Sequence, residues 1–344
     1  MKLRLTIILI LLTILNGLSQ PSPFNHKEPV VDSTGNYSFI VSGHFYGDGT
    51  NKSHYPANTL LGNLNWINSS GSSMLVCLGD LFMDVKNDIP FYRSSFFDQL
   101  DIPLYNAVGN HDLTDHIYQD NFGETYFAFS IANDLHIFLD SELDNGDIAG
   151  DQLNFLKAQQ QKIEGGNYKN VFIYAHRTVW KDTYDELEGL FLDNTQSVVS
   201  PNYRNDILPL VKLMSEHSDV YWFAGSIGQA PASFFYFNDP ENRITYIGTA
   251  IRTLPRDAML LVNSNNGDVS FEPHSLTGEE LMPLENYNVE LWKNTVGAEP
   301  FNWRLVPLYV QQMFLHRYFW YGIIVALFGL MTFQFFRKKR KAGS

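Results

Sequence analysis

Short, almost wholly apolar runs alternate along the chain with stretches whose apolar residues recur every third or fourth position. YSFIVSG (Tyr37–Gly43), MLVCL (Met74–Leu78), IPLYNAV (Ile102–Val108), NVFIYA (Asn170–Ala175) and VYWFA (Val220–Ala224) are continuous runs that predict strands buried on both faces. ANTLLGNLNWI predicts one helix with Leu60, Leu61, Leu64 and Ile67 on one face. QLNFLKAQQQKI predicts another, capped by Asp151, and a third is expected around Asp206–Ser215 with Pro209 early in it. YFAFSI and LHIFLD, separated by Asn133 and Asp134, predict a hairpin. SFFYF, RITYIG, AMLLVN and DVSFEP, the last two joined at Gly267, add further strands. Strands and helices alternating in this way predict a layered α/β fold.

Both ends of the chain break this pattern. Lys2 and Arg4 precede an apolar stretch from Leu5 to Leu15, and Gly17 and Ser19 sit where a signal peptidase requires small residues. Near the other end, Tyr318–Phe336 carries no charge and is followed by Arg337, Lys338, Lys339, Arg340 and Lys341. At 1.5 Å per helical residue that run reaches about 28 Å, enough to cross a hydrocarbon layer. The basic tail predicts a cytoplasmic C-terminus, with the N-terminal body outside the cytoplasm and the chain single-pass in a cell membrane.

The formal charge is −13, and without the seven cations of the two ends the body carries −20. So acidic a body excludes nucleic-acid binding by general attraction to phosphate. Cys77 is the only cysteine, so no intrachain disulfide exists, and its place in MLVCL predicts a small core residue. Asn36, Asn51 and Asn68 each begin a glycosylation sequon.

Polar residues collect just after the apolar runs. His44 follows the first, Asp80 the second, Asn110, His111 and Asp112 the third, and His176 and Arg177 the fourth. Ligand sites in open α/β sheets lie beyond the carboxyl ends of strands, so these clusters can share one site. A carboxylate, a carboxamide oxygen and imidazole nitrogens suit a cation that polarises a phosphoryl oxygen, and an imidazolium can protonate a departing alcohol. Arg177, Arg204, Arg252 and Arg256 are the cations expected nearest the cleft. Trp180, Tyr184 and Trp222 are expected to be packing residues.

SGH (Ser42–His44), GDLFMD (Gly79–Asp84), GNHD (Gly109–Asp112), AHR with His176, and GSIG (Gly225–Gly228) occur in the order of the calcineurin-like metallophosphoesterase motifs, which this sequence resembles from about Tyr37 to Glu272. The resemblance implies a four-layer αββα sandwich, to which the C-terminal transmembrane helix would be added, and hydrolysis of phosphoesters or diphosphates with Mn, Fe or Zn. It implies that His44 serves a first metal, that Asp80 bridges two, and that Asn110 and His176 serve the second. His111 would be the acid, oriented by Asp112.

Three positions depart from that pattern. Ser42 stands where a metal-binding Asp is expected, and Ser226 and Gly228 where histidines are expected. The remaining donors suffice for at most one ion. The sequence therefore predicts a signal peptide (1–19), a lead (20–36), a phosphoesterase-like domain (37–275), a juxtamembrane segment (276–317), a membrane span (318–336) and a basic cytoplasmic tail (337–344). The expected function is a membrane-tethered hydrolase of a phosphorylated small molecule or lipid. The alternative is a catalytically inactive relative that binds a ligand or protein partner.

Overall fold

The computed structural model describes residues 20–144, 146–191, 202–227, 230–295, 310, 314, 319–329 and 332. The β-branched and aromatic runs form strands β1 (Tyr37–Ser42), β2 (Met74–Cys77), β3 (Leu104–Asn106), β4 (Phe127–Ile131), β5 (Asp134–Phe138), β6 (Asn170–Arg177), β7 (Asp219–Ser226), β8 (Phe234–Asn238), β9 (Ile244–Thr249), β10 (Ala258–Asn265) and β11 (Asp268–Ser275). They build two sheets, one in the order β11-β10-β1-β2-β3 and the other β4-β5-β6-β7-β9-β8. β1, β2 and β3 are parallel neighbours, as are β5, β6, β7 and β9, so their carboxyl ends lie along one rim of each sheet.

Alternation along each strand divides the interior into three apolar layers. Phe39, Val41, Val76 and Tyr105 of the first sheet face Phe138, Phe172, Tyr174 and Phe223 of the second, with Phe39 and Phe172 ring centroids 5.1 Å apart. The opposite face of the first sheet, with Ile40, Leu75 and Leu104, is covered by α1 (Asn58–Gly62), α2 (Leu64–Ser69), α3 (Val85–Ser95) and α4 (Ile117–Phe122). The outer face of the second, with Ile137, Ile173 and Trp222, is covered by α5 (Gly150–Glu164), α6 (Leu208–Ser215) and α7 (Val289–Thr295). The result is the expected helix-sheet-sheet-helix layering.

Several local expectations are corrected. The helix expected through Ala57–Ile67 is two, because Asn63 leaves helical geometry and its amide bonds the Thr59 and Leu276 carbonyls. Asp151 lies in the first turn of α5 and makes no cap bond; the cap position is Ala149. The expected boundary at residue 275 falls too early. Leu284 and Tyr287 are buried between the sheets, and the Trp292 indole is buried with its N–H donated to the Phe234 carbonyl at 2.8 Å.

The C-terminal residues belong to a separate unit. Residues 319–329 are helical, with Ile324, Val325, Leu327 and Phe328 exposed. No helix among the described residues is long and apolar enough to cross a membrane. The expected signal peptide and the whole basic tail, 337–344, lie outside the described residues, as do parts of the expected span at 318, 330–331 and 333–336.

Candidate metal centre and cleft

The rims of the two sheets meet where the predicted clusters fall. Asp80 follows β2 through Gly79, and the first turn after β1 carries His44, whose N–H donates to the Gly79 carbonyl at 3.0 Å. His176, on β6, comes from the other sheet and donates its Nδ1–H to the Leu78 carbonyl at 2.7 Å. Contact is this close because glycines remove the intervening side chains. A Cβ on Gly79 would lie 2.5 Å from His176 Nδ1, and one on Gly109 would lie 2.4 Å from Asp80 Oδ1. His44 and Asp80 are held at φ of 55° and 54°, in left-handed conformations that residues with a Cβ adopt at a cost of about 1–3 kcal/mol.

Asp80 stands between the two imidazoles. His44 Nε2 is 3.2 Å from Asp80 Oδ2, and His176 Nε2 is 3.6 Å from Asp80 Oδ1. All three side chains are buried, and their potential ligand atoms lie within 4.8 Å of one another. A carbonyl only accepts, so the Leu78 bond fixes the proton of a neutral His176 on Nδ1. Its Nε2 is then a buried lone pair with no hydrogen-bond partner, turned toward a carboxylate oxygen. Two acceptors facing each other out of water repel unless a proton or cation lies between them. Tetrahedral ligands about 2.1 Å from an ion sit about 3.4 Å apart, so the observed spacing and the N, N, O donor set fit one divalent cation of the Zn, Mn or Fe kind.

The local charges agree with this fit. Burial, then the charge of Arg252, pushes His44 down to about 3 despite the pull of Asp80, leaving its ring neutral at ordinary pH. Burial pushes Asp80 up, but His176, His44 and His111 outweigh it and hold the carboxyl well below the usual carboxylate range.

The other predicted residues divide. Asn110 is exposed on the wall of an open cleft of about 640 Å³, together with His111. His111 donates its backbone N–H to Asp80 Oδ1 at 3.2 Å, and its ring Nδ1 lies 3.0 Å from the Met83 carbonyl, which leaves Nε2 open to the cleft. Asp112 does not orient that ring, contrary to expectation. Its carboxylate is fully buried and accepts from the Gly109 and Phe82 N–H groups and the Asn106 amide at 2.9–3.0 Å. Burial, then the Asp80 charge, raises Asp112 to about 6. It fixes the loop that carries His111 and does no chemistry on the ring.

Ser42 adds nothing to the cation site, since its hydroxyl is turned to the Ala258 carbonyl at 3.2 Å. Ser226 is buried, and Gly228 lies outside the described residues. Arg177 is not available to a phosphate either: its guanidinium forms a two-pronged pair with Glu142 at 3.0 and 2.6 Å. Arg204 and Arg256 bond the Thr183 and Ala232 carbonyls, so Arg252 is the arginine of the four whose charge reaches the cluster. Trp180 and Trp222 are core residues, as expected.

Sequence reasoning missed His54 and Asp88, which line the same cleft as Asn110 and His111. They are 34 residues apart, and no strand end marks either one.

With His44, His176 and the His111 N–H brought onto Asp80, the chain resembles the calcineurin-like metallophosphoesterases. No protein-family model matches it, and no curated protein matches it. Among solved structures it is similar to a purple acid phosphatase from seeds of yellow lupin, Lupinus luteus, at 8% identity and a TM-score of 0.49, over 74% of this chain and 54% of that one. The chain thus spans about half the length of the lupin phosphatase. It is similar also to a dimetal phosphatase from Danio rerio at 13% identity and a TM-score of 0.49, over 75% of this chain and 100% of that one. A cold-active protein-tyrosine phosphatase of a psychrophilic Shewanella species matches at 13% identity and a TM-score of 0.32.

Proposed function

We propose that the protein is a metal-assisted phosphoester hydrolase working with a single cation held by His44, Asp80 and His176, and tethered to a membrane with its body on the extracytoplasmic side. The observation that carries the reading is the buried, unpartnered Nε2 of His176 turned onto Asp80. When bound, the cation supplies Lewis-acid stabilisation of a phosphoryl oxygen and acidification of water. The residues around it do the rest. Asp80 holds the His111 backbone through Oδ1, and Met83 holds the His111 ring, so the imidazole presents Nε2 to a substrate in the cleft. In its protonated form that nitrogen donates to the leaving oxygen as the phosphorus–oxygen bond breaks. Asn110 on the same wall offers its carboxamide to the phosphoryl group.

The reading is tested by supplying Mn, Fe or Zn to the purified chain and measuring cleavage of aryl and alkyl phosphates with and without a chelator. Metal-dependent cleavage is expected. Binding without cleavage would leave the inactive ligand-binding alternative. His111→Gln is expected to slow an alkyl phosphate by about 10²–10⁴-fold. It should slow a p-nitrophenyl ester far less, because that phenolate leaves without a proton. Equal losses on both esters would remove His111 from the acid role.

The tether is supported by the uncharged run at 318–336 and by the exposed apolar residues of 319–329. The full chain is expected to stay with membranes through an alkaline carbonate wash, whereas a chain ending at residue 297 is expected in the supernatant. Release of the full chain would refute the tether.

A further inference from the structure

Beyond the metal centre, the cleft has a second imidazole with a built support. His54 Nδ1 lies 2.7 Å from Asp88 Oδ1, and the Asp88 side chain is 1% exposed. The other Asp88 oxygen accepts from the Met83 and Asp84 N–H groups at 3.0 and 2.8 Å. The His54 ring also stacks on Phe91, centroids 5.5 Å apart and planes 20° from parallel. Its Nδ1 is therefore committed to Asp88, and its face to Phe91. Nε2 is left for the cleft.

His111 is held in the same manner by the same segment, since the Met83 carbonyl takes its Nδ1. One short segment, Met83–Asp88, which leads into the first turn of α3, thus sets the aim of two imidazoles in one cleft. Lys52 and Lys86 line the same cleft. Asp84 and Asp88, also on the cleft, are engaged by N–H donors: Asp84 takes the Lys86 backbone N–H and the Asn87 amide, and Asp88 takes three. In a chain of net charge −13, this wall sets two lysines, of which Lys52 also donates to the Gly49 carbonyl at 3.3 Å, and two imidazoles beside two carboxylates that N–H donors already hold, an arrangement suited to an anion.

We propose that His54 is a substrate-binding residue for a second anionic group, and that the cleft takes a phosphoester bearing a further phosphate. One phosphate lies at the Asp80 end beside His111, and the other is held by His54 with Lys52 and Lys86. This rests on the proposed phosphoesterase reading for the first phosphate only. A neutral His54 offers the second phosphate a lone pair and a protonated one offers N–H, so the imidazolium paired to Asp88 is the binding form.

The test is calorimetric titration of the full chain in detergent, loaded with Mn, using methylphosphonate and the two-headed trimethylene diphosphonate. The two-headed ligand is expected to bind about tenfold tighter, the equivalent of one charge-assisted hydrogen bond. His54→Gln, a change at a half-exposed ring, is expected to erase that advantage and leave methylphosphonate binding as it was. Lys52→Gln is expected to reduce the same advantage in part. Equal affinity of the two ligands in the unsubstituted chain, equal losses on both ligands in His54→Gln, or no binding of either ligand would overturn the proposal. In His176→Ala, where the metal reading predicts loss of the cation, the diphosphonate should still bind in a His54-dependent way. Failure of the metal reading is thereby separated from failure of this one.

Discussion

Asp80→Asn is expected to lower cation affinity by at least about 100-fold and to reduce metal-dependent phosphoester cleavage to background, with the fold intact. The magnitude is anchored on the loss that follows removal of a group merely supporting a ligand, which costs about 10–100-fold, and Asp80 would itself be a ligand, its two oxygens facing the two imidazoles. The fold should survive because an asparagine oxygen can still accept the His111 N–H that Asp80 takes at 3.2 Å. The amide lacks the charge that a cation between His44 and His176 requires. Dialysis against Mn or Zn followed by elemental analysis, with urea unfolding as the control for folding, reads both halves of the expectation. Undiminished metal content in a folded Asp80→Asn protein would place the cation elsewhere.

Glu142→Ala is expected to cost about 3–5 kcal/mol of stability, the usual penalty for removing one partner of a buried ion pair. The Arg177 and Glu142 side chains are 11% and 5% exposed, and their two-pronged contact closes at 2.6 Å on one side. Arg177 Nη1 is buried without a hydrogen-bond partner, so the guanidinium has no other acceptor to turn to when Glu142 is lost. Arg177→Met combined with Glu142→Leu should recover most of the loss, since a well-packed apolar pair carries no desolvated charge. Urea midpoints for the three proteins check this. A loss below about 1 kcal/mol in Glu142→Ala would mean that water reaches Arg177 on unfolding of the local loop.

These two results separate the chemistry of the rim from its support, a division the sequence shows only in part. The strands were legible because MLVCL, NVFIYA and VYWFA are continuous apolar runs, and continuous runs bury both faces. The meeting of His44, Asp80 and His176 was legible from their place after or at the ends of such runs. Their assignment to different ions was not, because the approach of two sheets through Gly79 and Gly109 is a property of the assembled rim.

The role of Asp112 was misleading in sequence because it adjoins His111. The turn after Gly109 sends neighbouring side chains in different directions, one into buried N–H groups and one to the cleft. Asn63 breaks its helix through a carbonyl of Leu276, more than two hundred residues away. Leu284 and Trp292 lie in a Glu- and Pro-bearing stretch without period, so nothing local marked them as core. His54, in a loop, pairs with Asp88, in the first turn of α3, and neither follows a strand.

The central claim is that the rim holds one cation between His44, Asp80 and His176. Anomalous scattering from crystals of the body grown with excess Mn tests it most directly. The expected map has one peak within about 2.3 Å of His44 Nε2, His176 Nε2 and an Asp80 oxygen. Two well-occupied peaks at the rim, or none beside His176 Nε2, would contradict it.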